Sequence, residues 1–130
     1  MYGMYHPALT KAISDIRAEA TTERLAVIRD IIRLLTNANA TVGLLMKEQG
    51  VVDYDYITMN VGGSHLIPVF SEQKFVKTHG ASLVFMGFKT VVAEVLQDNG
   101  PDGIIINPFT KSCHCVLTKD ILKSFLQEKM

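Results

Sequence analysis

Tyr56-Ile-Thr-Met-Asn-Val-Gly-Gly-Ser-His-Leu-Ile-Pro-Val-Phe70 is the stretch from which the fold can be read. Two apolar runs, 56–61 and 64–70, flank Gly62-Gly63. A two-residue turn between strands needs positive φ, which glycine supplies without steric cost, so the segment predicts a β-hairpin. The turn fixes the register and sets Met59 beside Leu66 and Asn60 beside His65. Pro68 donates no ladder bond and belongs where none is needed.

Downstream, Ser71 reads as a helix N-cap, with Phe70 and Phe75 in the positions of a hydrophobic staple. The short helix would stop at His79-Gly80. Leu83 to Met86 predicts a strand. Gly87 then leads into a helix whose apolar face is Phe88, Val91, Val92, Val95 and Leu96. Asn99 to Gly103 holds several breakers in a row. Gly103 to Asn107 is continuously apolar through three isoleucines, the signature of a buried strand, and Pro108 ends it. Cys113 to Leu117 predicts the last strand. Thr118 caps a final helix that buries Ile121, Leu122 and Phe125, with Leu117 and Leu122 as a second staple.

Upstream, Leu9, Ala12, Ile13 and Ile16 fall at helical spacing behind Pro7, a favoured first-turn residue. Leu25, Ile28, Ile31, Ile32 and Leu35 form a second stripe, capped by Thr21 or Thr22 and ended at Asn37 or Asn39. The stripes change phase near Ala20-Thr21-Thr22, so two helices are expected rather than one. Val42 to Met46 reads as a strand that gives way to Lys47-Glu48-Gln49-Gly50. The resulting order is ααβββαβαββα. It predicts an α/β domain over 1–130, with an N-terminal helix pair and a mixed parallel/antiparallel sheet of about six strands packed by helices.

Two segments resemble the best-marked stretches of SseB family N-terminal domains. They are His65-Leu-Ile-Pro-Val-Phe-Ser-Glu72 and Asp102-Gly-Ile-Ile-Ile-Asn-Pro-Phe109. In that family a strand ending in Pro-x-Phe-Ser/Thr enters a short helix, and a Gly-hydrophobic-Asn-Pro strand leads to a final strand and helix. Pro7 to Ala12 and Glu23 to Leu35 are similar to the family's leading helix pair. Longer relatives carry a second domain where this sequence stops. The resemblance implies the fold, and it implies no reaction, cofactor or catalytic residue.

Composition narrows the function. The 130 residues carry 13 Lys+Arg against 13 Asp+Glu, so no net charge draws the chain toward phosphate backbones. The cations are scattered, and nucleic-acid binding is not expected. The same neutrality removes repulsion between copies, which leaves a homo-oligomer among the expected assemblies. No apolar run is long enough to span a membrane. Met1 to Pro7 lacks a basic region followed by an apolar one, so a cytoplasmic location with two reduced thiols is expected.

Cys113-His114-Cys115 is the sharpest chemical cluster. On a strand the two sulfurs share one face and the imidazole takes the other, so the three do not converge on a metal. A buried cysteine pair with an exposed histidine is the preferred reading. The alternative is a thiol-dependent enzyme using Cys113 or Cys115, its nucleophile activated by Lys111 or a nearby histidine. None of His6, His65, His79 and His114 lies at a metal-ligand spacing. Gly62-Gly63-Ser64 lacks the phosphate-loop pattern and reads as a turn. Asn107 follows the most buried strand, where ligands of parallel sheets gather, so a small-molecule sensor is a further alternative. Its plainer role is to bond nearby backbone and shape the turn before Pro108. Asp53, Tyr54, Asp55 and Tyr56 read as a solvated loop, or else as a contact surface.

The sequence thus predicts a non-catalytic, cytoplasmic protein-binding module of the SseB type. No catalytic, cofactor-binding or metal-binding residue is assigned, no cofactor is implied, and the partner is a protein.

Overall fold

A computed structural model describes residues 5–49, 53–78 and 81–127. Among them the chain forms four α-helices, one 3-10 turn and a seven-stranded sheet. In order these are α1 (Pro7–Ala18), α2 (Thr22–Asn37), β1 (Thr41–Gln49), β2 (Asp53–Tyr56), β3 (Met59–Val61) and β4 (Ser64–Phe70). The 3-10 turn (Gln73–Phe75), β5 (Ser82–Gly87), α3 (Phe88–Leu96), β6 (Gly103–Ile106), β7 (Cys115–Thr118) and α4 (Lys119–Leu126) follow. The expected α/β class and mixed sheet are present.

The Gly-Gly hairpin forms in the register expected from its turn, with Met59 opposite Leu66 and Asn60 opposite His65. Gly62 and Gly63 have φ of 58° and 91°, the region that only glycine enters freely. The sheet grows on both sides of β4. β4 and β6 run parallel from Leu66↔Gly103 to Val69↔Ile106, the one parallel ladder among the described strands. β7 adds antiparallel to β6, and β5 pairs antiparallel with β1. β1 and β4 meet at two rungs, Gly43↔Phe70 and Leu44↔Val69. Beyond them β1 pairs with β2 and β4 with β3.

The alternation of each strand divides its residues between two unequal layers. Val42, Leu44, Ile67, Val69, Ile104, Ile106 and Leu117 join one core with Leu9, Ile13, Ile28, Ile32, Phe88, Val91, Val95, Leu122 and Phe125, so all four helices cover one face. Leu45 and Phe70 lie on the other face, beneath Phe75, Val76, Ala81, Leu83 and Phe109. Each fully buried Leu, Ile or Phe contributes about 1.5–3 kcal/mol relative to exposure, so the helix-side layer dominates stability.

Caps hold the helices where the sequence placed them, with one borrowed from a distance. Thr21 and Thr118 accept hydrogen bonds from Arg24 N and Ile121 N, and Pro7 opens α1. Asn39, with φ of 48°, turns the chain after α2. Its Oδ1 also accepts from Lys89 N at 3.0 Å, so it caps α3 from fifty positions upstream. A Cβ on Gly87 would lie 2.1 Å from that oxygen, which is why glycine stands there.

Several expectations are corrected. Residues 53–56 form a strand instead of a loop, because β1 continues to Gln49 and offers its edge to them. That adds a strand before the hairpin. Ser71 caps no helix; a single 3-10 turn follows it, begun at Glu72 without a side-chain cap. The last strand starts at Cys115 and not at Cys113. The strand before Pro108 ends at Ile106, since Asn107 has φ of 52° and leaves the extended region. Leu25 and Ile121 are exposed, not buried, because each lies at the margin of its helix's apolar stripe. The His79-Gly80 stop lies outside the described residues.

Candidate functional site

β4 and β6 end side by side, and their last residues deliver Ser71 and Asn107 to one point beyond the carboxyl ends of the parallel pair. Both are fully buried. Buried polar groups need partners, and these two find each other. Asn107 Oδ1 accepts from Ser71 N at 3.0 Å, and Asn107 Nδ2 donates to Ser71 Oγ at 2.9 Å and to the Cys113 carbonyl at 3.4 Å. The Asn107 backbone extends the ladder, its N–H donating to the Val69 carbonyl.

α1 supplies the third member. Thr10 Oγ1 lies 3.0 Å from Ser71 Oγ and donates to Glu72 Oε2 at 2.5 Å. A hydroxyl has one hydrogen. With Thr10 donating to Glu72, Ser71 donates to Thr10 and accepts from Asn107 Nδ2. Such chains polarise one another in a low-dielectric interior. Glu72 is 6% exposed. Its second oxygen lies 3.9 Å from the exposed Lys74 ammonium.

Neighbouring groups tie the same point to the N-terminal segment and to the 108–114 loop. His6 N donates to the Ser71 carbonyl, and His6 Nε2 donates to the Thr41 carbonyl at 2.7 Å. Thr110 Oγ1 donates to the Asn107 carbonyl and accepts from Cys113 N. His114 Nδ1 donates to the Thr110 carbonyl at 2.8 Å. Among the described residues every buried side-chain nitrogen and oxygen has a partner. The cluster resembles a serine–carboxylate constellation in its atoms but not in its access. Ser71 Oγ is sealed, and its proton is committed to Thr10 rather than to a base.

The cysteines do not assemble a reactive pair. Cys113 is buried in the loop with Sγ 3.6 Å from Ser112 Oγ. Cys115 begins β7, so the two sulfurs do not share a strand face. Burial pushes the Cys115 thiol up from 9.0 to about 11, and the nearby Arg17 charge opposes this only in part. The cation acting on Cys115 is thus Arg17 of α1, not Lys111. Among the described residues no three His, Cys, Asp or Glu side chains gather as a metal site. His65 is exposed, and His79 lies outside the described residues.

A shallow groove of about 190 Å³ lies elsewhere, between α2 and α4, lined by Thr22, Leu25, Ala26, Arg29, Ser124 and Phe125. Along the rest of α2, Val27 is 49% and Leu34 67% exposed. With Ile31 between them, half-buried against the core, they recur at four- and three-residue spacing along one flank of the helix.

The sequence singled out Asn107 for bonds to nearby backbone; the structure instead gives its side chain chiefly to Ser71, 36 positions away, with one long bond to the nearby Cys113 carbonyl. It missed Thr10 and Glu72. Glu72 had one signal, its place at the carboxyl end of a strand in the parallel pair. Thr10 had none, since its partners are sixty-one and sixty-two positions away. No family model, curated protein or solved structure matches this chain.

Proposed function

We propose that this chain is a non-catalytic protein-binding module of the SseB type, acting in the cytoplasm. The observation that carries the proposal is the exposed apolar pair Val27 and Leu34, seven residues apart on one flank of α2. Val27 and Leu34 leave large side chains in water on the flank of a helix whose adjoining face is already buried in the core. Exposed apolar groups aligned on one helix are what a protein partner covers. Among the described residues no helix is long and apolar enough to cross a membrane.

Two features favour binding over catalysis. The polar cluster beyond β4 and β6 spends its hydrogen-bonding capacity on joining three segments of its own chain. The Cys115 thiol, pushed up to about 11, holds little thiolate near neutral pH, which disfavours the nucleophile of a thiol enzyme. The groove between α2 and α4 lies away from Asn107, whose side chain is fully buried and bonded to Ser71 and the Cys113 carbonyl.

The test is affinity capture with the wild-type chain and with a Val27→Lys/Leu34→Lys double variant. A partner held by the wild type and weakened at least tenfold in the variant supports the proposal. Two exposed charges should cost the fold itself little. The outcome against it is a biological activity that survives the double variant and is abolished by alkylating Cys113 or Cys115.

A further inference from the structure

We propose that the free edge of β5 is the surface through which two copies of this chain pair, strand to strand and antiparallel. The inference rests on the protein-binding reading and names one partner and the surface it uses.

Among the described residues, β1 is the single strand partner of β5, so the outer row of β5 backbone groups faces away from the sheet. Exposure follows that position. All of β6 and the last five residues of β4 are buried, whereas every residue of β5 retains some exposure. Edge strands normally carry a defence against pairing, such as a charge, a proline, a bulge or short length. Ser82-Leu-Val-Phe-Met-Gly87 carries no charge and no proline, and its six rungs with β1 run without a bulge.

The other edges differ. β2 bears Asp53 and Asp55, and β7 is only four residues long. Arg17 of α1 also donates to the carbonyls of Lys111 and His114, at the entry to β7.

Charge and shape both favour a second copy as the occupant. Self-pairing along β5 sets no charge against any other. The chain as a whole is neutral, so two copies approach without net repulsion. Phe85 is 48% exposed, and its partner across the β1 ladder is Gly43, which has no side chain to cover the ring. Val84 and Met86 pack toward the helices, so Phe85 points to the opposite face. A two-fold axis normal to the sheet keeps same-face residues together across the join. It brings the two Phe85 rings within cross-strand reach, where each covers what Gly43 leaves open. A six-residue strand pair buries less than the ~1,200 Å² of standard stable complexes, so the dimer is a weak one.

Sedimentation velocity over a concentration series tests the pairing, with hydrogen exchange read at low and high concentration. The expected result is a concentration-dependent dimer whose 82–87 amides gain protection as it forms. Phe85→Lys should weaken it at least about tenfold, since it removes the ring and sets like charges together. Val116→Lys on β7 should leave it unchanged. A wild-type chain that remains monomeric at high micromolar concentration overturns the inference. So does a dimer whose 82–87 amides exchange at the monomer rate, a readout that needs no variant. Neither result bears on capture of another protein through Val27 and Leu34, so the two proposals fail separately.

Discussion

β4 and β6 at the centre of the sheet and β5 at its rim are built from similar residues, yet they end differently. The parallel pair runs into a sealed junction where Asn107, Ser71, Thr10 and Glu72 satisfy one another. β5 runs into α3 at Gly87 and, among the described residues, has β1 as its single strand partner. Burial teaches the difference. At the centre, polar side chains must be saturated, so they become structural joints. At the rim, an exposed backbone can be satisfied by water, so no such joint is required.

The largest effect expected at the centre comes from Asn107→Ala. It strips partners from Ser71 N, Ser71 Oγ and the Cys113 carbonyl, and it leaves alanine at positive φ. Urea unfolding should show a loss of about 3 kcal/mol, with the midpoint moving and the slope preserved. A loss under about 0.5 kcal/mol would mean that the junction is not saturated as described.

Cys115 sharpens the contrast from the β7 side. With its thiol raised from 9.0 to about 11, alkylation near neutral pH should run about a hundredfold slower than for an ordinary thiol, if thiolate content sets the rate. The folded chain holds this proton more tightly than the unfolded one. The stability linked to it is therefore intact below pH 9 and declines as pH rises through about 11. A Cys115→Ser variant should lose that decline. Rapid labelling of Cys115 at neutral pH would instead show that burial does not hold its proton.

The smallest effect expected is from Thr10→Val, which keeps the shape but removes the link between Ser71 and Glu72. Two buried groups lose one bond each, a cost of about 1–3 kcal/mol. The loss should exceed that from a matched Thr→Val change at the exposed Thr22.

Local chemistry made much of this fold legible. Gly62-Gly63 dictates a turn whose register follows from its length, and Thr21, Thr118 and Pro7 mark helix starts by groups they offer or lack. The misreadings arise where a distant partner outweighs a local preference. Aspartates are depleted in strands, yet 53–56 pair with β1 because a neighbouring ladder is open to them. Ser71 has the look of a cap, but Asn107 and Thr10 claim its hydroxyl. Asn107 was noticed for its place after a buried strand, while Thr10 sits unremarkably in the first turns of α1. Pairings across sixty residues leave no periodicity for a reader to follow.

The loan of Asn39 to α3 bears on how the chain is made. During synthesis the helix pair and β1 leave the ribosome before residues 82–96 exist, so the group that will start α3 is waiting when its first turn emerges. The later half of the protein is organised by a contact the earlier half already presents. A circular permutant that reverses the order of the two halves would have to complete that helix without its starter in place.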